Sequence, residues 1–159
     1  MSKTIVTYFS ASGVTGQLAD RLAKAIDAPC YEIRPAMRYT NADLDWQNKS
    51  SRSSVEMSDR ACRPALADNS IPVADADVVL VGFPIWWYRE PSIIDTFIEA
   101  YDFAGKTIVP FATSGMSPIG DSGANLQALA PAARVLTGAR LDAHASANEL
   151  KGWFDSLGL

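Results

Sequence analysis

Imidazole and thiol groups are scarce in this chain of 159 residues: His144 is the only histidine, and Cys30 and Cys62 are the only cysteines. A serine hydrolase needs a histidine beside its nucleophile, and His144 stands close before the last helical pattern, in a surface or capping position. The two cysteines form no CxxC pair and sit in no His/Cys cluster, so zinc lacks ligands and both are expected as free thiols. Apolar runs are short as well, and none approaches the ~20 residues of a membrane span. Basic residues are outnumbered, 14 against 18 acidic ones, and a net charge of −4 argues against a nucleic-acid partner, which would need a basic face. No signal-peptide pattern precedes the first apolar segment, so the expected location is the cytoplasm.

What is present is a regular alternation. Apolar, β-branched and aromatic runs occur at 3–9 (KTIVTYF), 30–35 (CYEIRP), 77–84 (DVVLVGFP), 106–113 (KTIVPFAT) and, broken by Gly138, at 134–142 (RVLTGARLD). Helical patterns fall between them at 14–26, 91–101 (with Pro91 in the first turn), 122–130 and 147–158. Strand alternating with helix predicts a single α/β domain over 1–159, with a parallel sheet and helices on both faces. Residues 36–69 interrupt the pattern. They are polar and charged, with local helical fragments at 41–47 and 53–60. Tyr39, Trp46 and Met57 give this segment apolar anchors, so it reads as an ordered flap and not as a linker.

Ligands of open α/β sheets bind beyond the carboxyl ends of the strands, and three loops leave those ends here. The first, SASGVTG (10–16), joins a strand to a helix whose first amides point outward with the positive end of the helix dipole behind them. Ser10, Ser12 and Thr15 add hydroxyls and Gly13 allows a tight turn, which suits a phosphate. The same residues also suit an ordinary N-cap. The turn matches neither GxGxxG nor the Walker loop, since no Lys follows the glycines. It contains no Cys for a cysteine phosphatase, and Tyr8 and Phe9 stand where a phosphorelay receiver needs carboxylates. The second loop, PIWWYREP, places Trp86, Trp87 and Tyr88 just past a buried strand, where flat conjugated ligands stack. In an extended segment only one tryptophan of the pair would face the ligand, and Trp86 is the expected one. The third loop offers Thr113, Ser114, Gly115, Ser117 and Gly120, small residues whose backbone can approach a ring edge.

These three loops, read as SASGVT, GFPIWW and TSGMS, together with the flanking YDFAGKTIVPFATSG and the YTNADLDW…SRSSVEM insertion, resemble the flavodoxin-like family over essentially the whole chain. The resemblance implies a three-layer α/β/α fold, a five-stranded parallel sheet of order 2-1-3-4-5, and non-covalently bound FMN. It implies that Ser10, Ser12, Gly13, Val14 and Thr15 hold the phosphate, with Pro84, Ile85, Trp86, Trp87, Thr113, Ser114, Gly115 and Ser117 around the isoalloxazine. Three positions depart from the pattern. Val14 replaces the usual Asn, Gly16 a basic residue, and Met116 the second glycine of the third loop. The implied function is electron transfer through FMN to a redox partner protein. The alternative is an NAD(P)H-dependent FMN or quinone reductase with a small quinone or nicotinamide substrate, to whose pocket a homodimer could supply a part. A flavin-free remnant of the fold is the third reading.

Overall fold

Runs of β-branched and aromatic residues make β1 (Thr4–Tyr8), β3 (Val78–Pro84) and β4 (Thr107–Thr113). The structure, a computed structural model, describes residues 3–114 and 117–159. With β2 (Cys30–Glu32) and two short pieces, β5 (Arg134–Val135) and β6 (Ala139–Arg140), these strands form one parallel sheet of order β2-β1-β3-β4-β5, β6 also lying on β4. Alternate side chains of β3 enter opposite layers. Val79, Val81 and Phe83 pack with Ile93 and Phe97 of α3 (Ser92–Ala100) and Leu126 of α4 (Ser122–Leu129). Val78 and Leu80 pack with Leu18 and Leu22 of α1 (Val14–Ala25) and Leu150 of α5 (Ala147–Ser156). This is the three-layer flavodoxin-like α/β/α arrangement with the expected strand order.

The edge strand is in two pieces for a local reason. Leu136 donates to the Ile108 carbonyl at 2.9 Å and Leu141 to that of Ala112 at 2.8 Å, so the amide position of Pro110 faces the same edge between them. Proline has no N–H to offer there. The chain bulges around Gly138, at φ 74°, and resumes pairing at Phe111, the residue after Pro110.

Three helical expectations shift. The 41–47 fragment is a run of turns, because Thr40, Asp43, Asp45 and Asn48 side chains accept from nearby backbone amides in competition with a helix. The 53–60 fragment is α2 (Arg52–Ser58), capped by Ser51 accepting from the Ser54 amide. Pro91 is the N-cap of α3 and not part of its first turn. The base of the 36–69 segment is stapled: Ala36 donates to Ala65 at 2.8 Å and Ala67 to Arg34 at 2.8 Å. Among the described residues, no helix is long and apolar enough to cross a membrane.

Candidate functional site

At the end of β1 the chain turns through Gly13, whose φ of 94° only glycine adopts easily and whose missing Cβ leaves open space. The Gly13 amide donates to Ser10 Oγ at 3.1 Å, and the Gln17 amide starts α1 on the Gly13 carbonyl at 3.0 Å. No side chain caps α1, so the N-cap reading of these hydroxyls is not met. Ser12, Gly13 and Val14 are exposed at the positive end of the helix. Thr15 is buried, its Oγ1 2.7 Å from Thr113 Oγ1 at the end of β4. Two hydroxyls that share one hydrogen bond retain a further O–H to donate.

The segment after β3 is not extended. Trp86 donates to the Arg89 carbonyl at 3.0 Å and Arg89 returns the bond at 3.2 Å, while Trp87 and Tyr88 take φ of 47° and 66°. That is a turn with two left-handed central residues, a geometry that favours Asn and Gly and is costly for indole and phenol side chains. The reasoning that only one of the two tryptophans could face a ligand therefore fails at its premise. Both line one cleft of about 700 Å³, in the range of small-molecule sites. Ile85, Trp86, Trp87 and Tyr88 form one wall, Leu44, Trp46 and Ser53 of the flap the other, and Ser117 joins from the loop after β4. Ring centroids of Phe9, Tyr39 and Trp86 lie 5.3–5.6 Å apart, all edge to face, which locks the end of β1, the flap and the turn together.

Within the flap Arg52 is already engaged. Its guanidinium stacks on Tyr39 at 3.8 Å, its Nε donates to Glu56 Oε2 at 2.9 Å, and Nη1 donates to the Met37 carbonyl at 2.8 Å. Burial first, and then its hydrogen bond to Glu56, push the Tyr39 phenol above its ordinary pKa. Met57 is buried as an anchor should be, but Trp46 is 70% exposed and stands at the cleft instead of in the core. Ile85 donates to the Thr113 carbonyl at 3.0 Å, carrying Pro84 alongside β4, and Ser114 Oγ donates to the Ser117 carbonyl at 2.5 Å. Ser10 opens into a smaller hollow of about 340 Å³ that it shares with Phe9, Tyr39, Arg34 and Arg38. Gly115 and the variant position Met116 lie outside the described residues. Leu44 and Ser53 were not among the residues the sequence marks for the site, and Trp46 was marked only as an anchor; Tyr88 was marked as an aromatic beside the two tryptophans.

An open parallel α/β sheet with its loops gathered at the carboxyl ends of β1, β3 and β4 defines the class of fold. The flavodoxin family model matches residues 3–157, and the chain belongs to the flavodoxin family. None of the curated proteins matches it. Two solved structures, described as flavoproteins, are similar throughout. One, from Bacteroides eggerthii, is 45% identical with a TM-score of 0.94, covering 100% of this chain and 99% of that one. The other, from Bacteroides uniformis, is 48% identical with a TM-score of 0.87, covering 97% and 98%. A flavoprotein from Lactobacillus acidophilus, solved in complex with FMN, shares the fold at 18% identity and a TM-score of 0.66, covering 89% and 93%.

Proposed function

We propose that the chain binds FMN non-covalently and passes electrons through it. The observation that carries this reading is an aromatic-walled cleft at the carboxyl edge of the sheet, on the same edge as an α1 terminus that no side chain caps. The two relatives described as flavoproteins and the FMN complex of the more distant one support it. When bound, FMN supplies the redox chemistry; the protein orients it and controls access. Ser10, Ser12, Gly13, Val14 and Thr15 would hold the phosphate, and Pro84, Ile85, Trp86, Trp87, Thr113, Ser114, Gly115 and Ser117 would surround the ring. With Val14 and Gly16 in the first loop, the phosphate has one side-chain donor and one positive charge fewer than the family pattern supplies, which weakens binding.

The flap favours a second reading, an NAD(P)H-dependent quinone or flavin reductase of the cytoplasm, because Leu44, Trp46 and Ser53 wall the cleft as a substrate pocket requires. Steady-state oxidation of NADH or NADPH with a quinone acceptor separates it from a carrier that docks a redox partner protein, and its absence rejects the reductase.

Ser12→Ala and Thr15→Ala test the phosphate assignment in different ways. Each is expected to weaken FMN binding by about 1–2 kcal/mol, the loss of one hydrogen bond to a charged group. Ser12→Ala should leave the melting temperature of the flavin-free protein unchanged, since the exposed Ser12 caps nothing. Thr15→Ala should lower it too, because the hydroxyl bond to Thr113 disappears. Unchanged FMN dissociation constants in both variants would remove the phosphate from this loop.

A further inference from the structure

Behind the aromatic turn lies a group of charges that flavin binding does not use. Arg89 is 7%, Glu90 0% and Asp95 5% exposed. Arg89 Nη1 donates to the Glu90 carbonyl at 3.1 Å and stands 3.6 Å from Asp95 Oδ2 and 3.7 Å from Glu90 Oε2. Its Nη2 reaches the Met57 carbonyl of α2 at 3.4 Å, and Ser92 Oγ donates to the Glu56 carbonyl at 3.4 Å. From the chain beyond α2, Arg63 stands 3.9 Å from Asp95 Oδ2 and bonds Glu99 of α3. From α4, Asn125 donates to Glu90 Oε1 at 3.0 Å. Two buried oxygens are left without a donor, Glu90 Oε2 and Asp95 Oδ1, and both carboxyls lie against the same guanidinium nitrogen, Arg89 Nη1. Buried acceptors without donors are costly.

We propose that Glu90 and Asp95 bind one proton between them, and that this proton fixes Arg89 as the positioning residue for the Trp86–Arg89 turn and the flap. A single O–H between Asp95 Oδ1 and Glu90 Oε2 satisfies both orphan oxygens. It also balances the cluster, in which the two guanidiniums of Arg63 and Arg89 meet three carboxyls, Glu90, Asp95 and Glu99. Burial, and after it the neighbouring Glu90, raise the Asp95 carboxyl to about 8. Loss of the proton to solvent leaves one uncompensated negative charge in a buried site. The two carboxylates then repel one another and draw Arg89 off the Met57 carbonyl, the longer of its backbone contacts. Trp87 and Tyr88 hold strained backbone angles that persist only while their surroundings fix them, so the turn relaxes with Arg89.

The test is a carboxyl-detected NMR pH titration of the flavin-free full-length protein, with Trp87 and Tyr88 amide signals followed in the same samples. One carboxyl of the pair should titrate near 8, against about 4 for an exposed aspartate, and the turn signals should shift with the same midpoint. In Asp95→Asn the turn signals should be insensitive to pH over that range. Glu90→Gln, whose amide donates to Asp95 without a proton, makes the same test if Asp95→Asn does not fold. Two carboxyls that both titrate below about 5 overturn the proposal. So does a turn that ignores the titration, or one that still titrates in both variants. FMN affinity should fall from about pH 7 to about pH 9.5 in the native protein and stay level in the variants. Absence of FMN binding at every pH contradicts the FMN assignment and leaves the NMR result standing.

Discussion

Arg89→Ala is expected to lower the unfolding free energy at neutral pH by about 3–5 kcal/mol, the usual loss when one partner leaves a buried ion cluster. Arg89 lies within 4 Å of two buried carboxyls, and its removal leaves Asp95 with Arg63 and Glu90 with the neutral Asn125 amide. The guanidinium also bridges the Met57 and Glu90 carbonyls, so the contact between α2 and the turn goes with it. Arg89→Lys keeps the charge but not the planar fork, and an intermediate loss is expected. The sign of the pH dependence separates charge from packing. Carboxyls deprived of Arg89 can take up protons at low pH, so the deficit should shrink as the pH is lowered towards about 5. Denaturant unfolding of native and variant proteins at the two pH values measures both effects. A deficit that does not depend on pH would assign the loss to packing.

The same linkage fixes the behaviour of the native protein. A carboxyl that keeps its proton up to about 8 when folded binds more protons than the unfolded chain between roughly pH 4 and 8. Stability carried by that proton is complete below the unfolded value and is lost as the pH rises through the folded one.

Gly138→Ala should be more damaging still at a single position, with a loss of about 4 kcal/mol or more. A Cβ there would lie 1.9 Å from the Pro110 carbonyl oxygen, and φ is 74°. The clash is with backbone, which cannot swing aside, and relieving it would part β4 from its edge strand. Thermal unfolding of the variant checks this. A melting temperature within a few degrees of native would mean that the β5 to β6 bulge relaxes freely, contrary to the register described above.

The central strands were legible because uninterrupted runs such as VVLVGFP fit only a sheet covered on both faces. Gly138 stood out in the sequence as the break in the last apolar run, but that it opposes Pro110 depends on register, which no local pattern encodes. The cleft was half legible. Its aromatic wall showed as WWY at a strand end, whereas the turn that folds both tryptophans into it has none of the Asn or Gly that mark such turns. Trp46 reads as an anchor by its size, yet the turns on either side of it are set by Thr40, Asp43, Asp45 and Asn48, which hold it out at the cleft. Arg89 and Glu90 look like an exposed charged pair after an aromatic loop. Their burial follows from the packing of α2 over the turn and leaves no trace in spacing or composition.

The reading as a whole rests on the flavin, and an equilibrium titration of the flavin-free protein with FMN tests it most directly. Saturation at one FMN per chain is expected, with flavin fluorescence quenched by the neighbouring tryptophans. The melting temperature should climb with ligand concentration as binding to the native state requires, and FAD or NAD at the same concentrations should produce neither change. Flavin fluorescence and melting temperature that both stay constant through an excess of FMN would contradict the account.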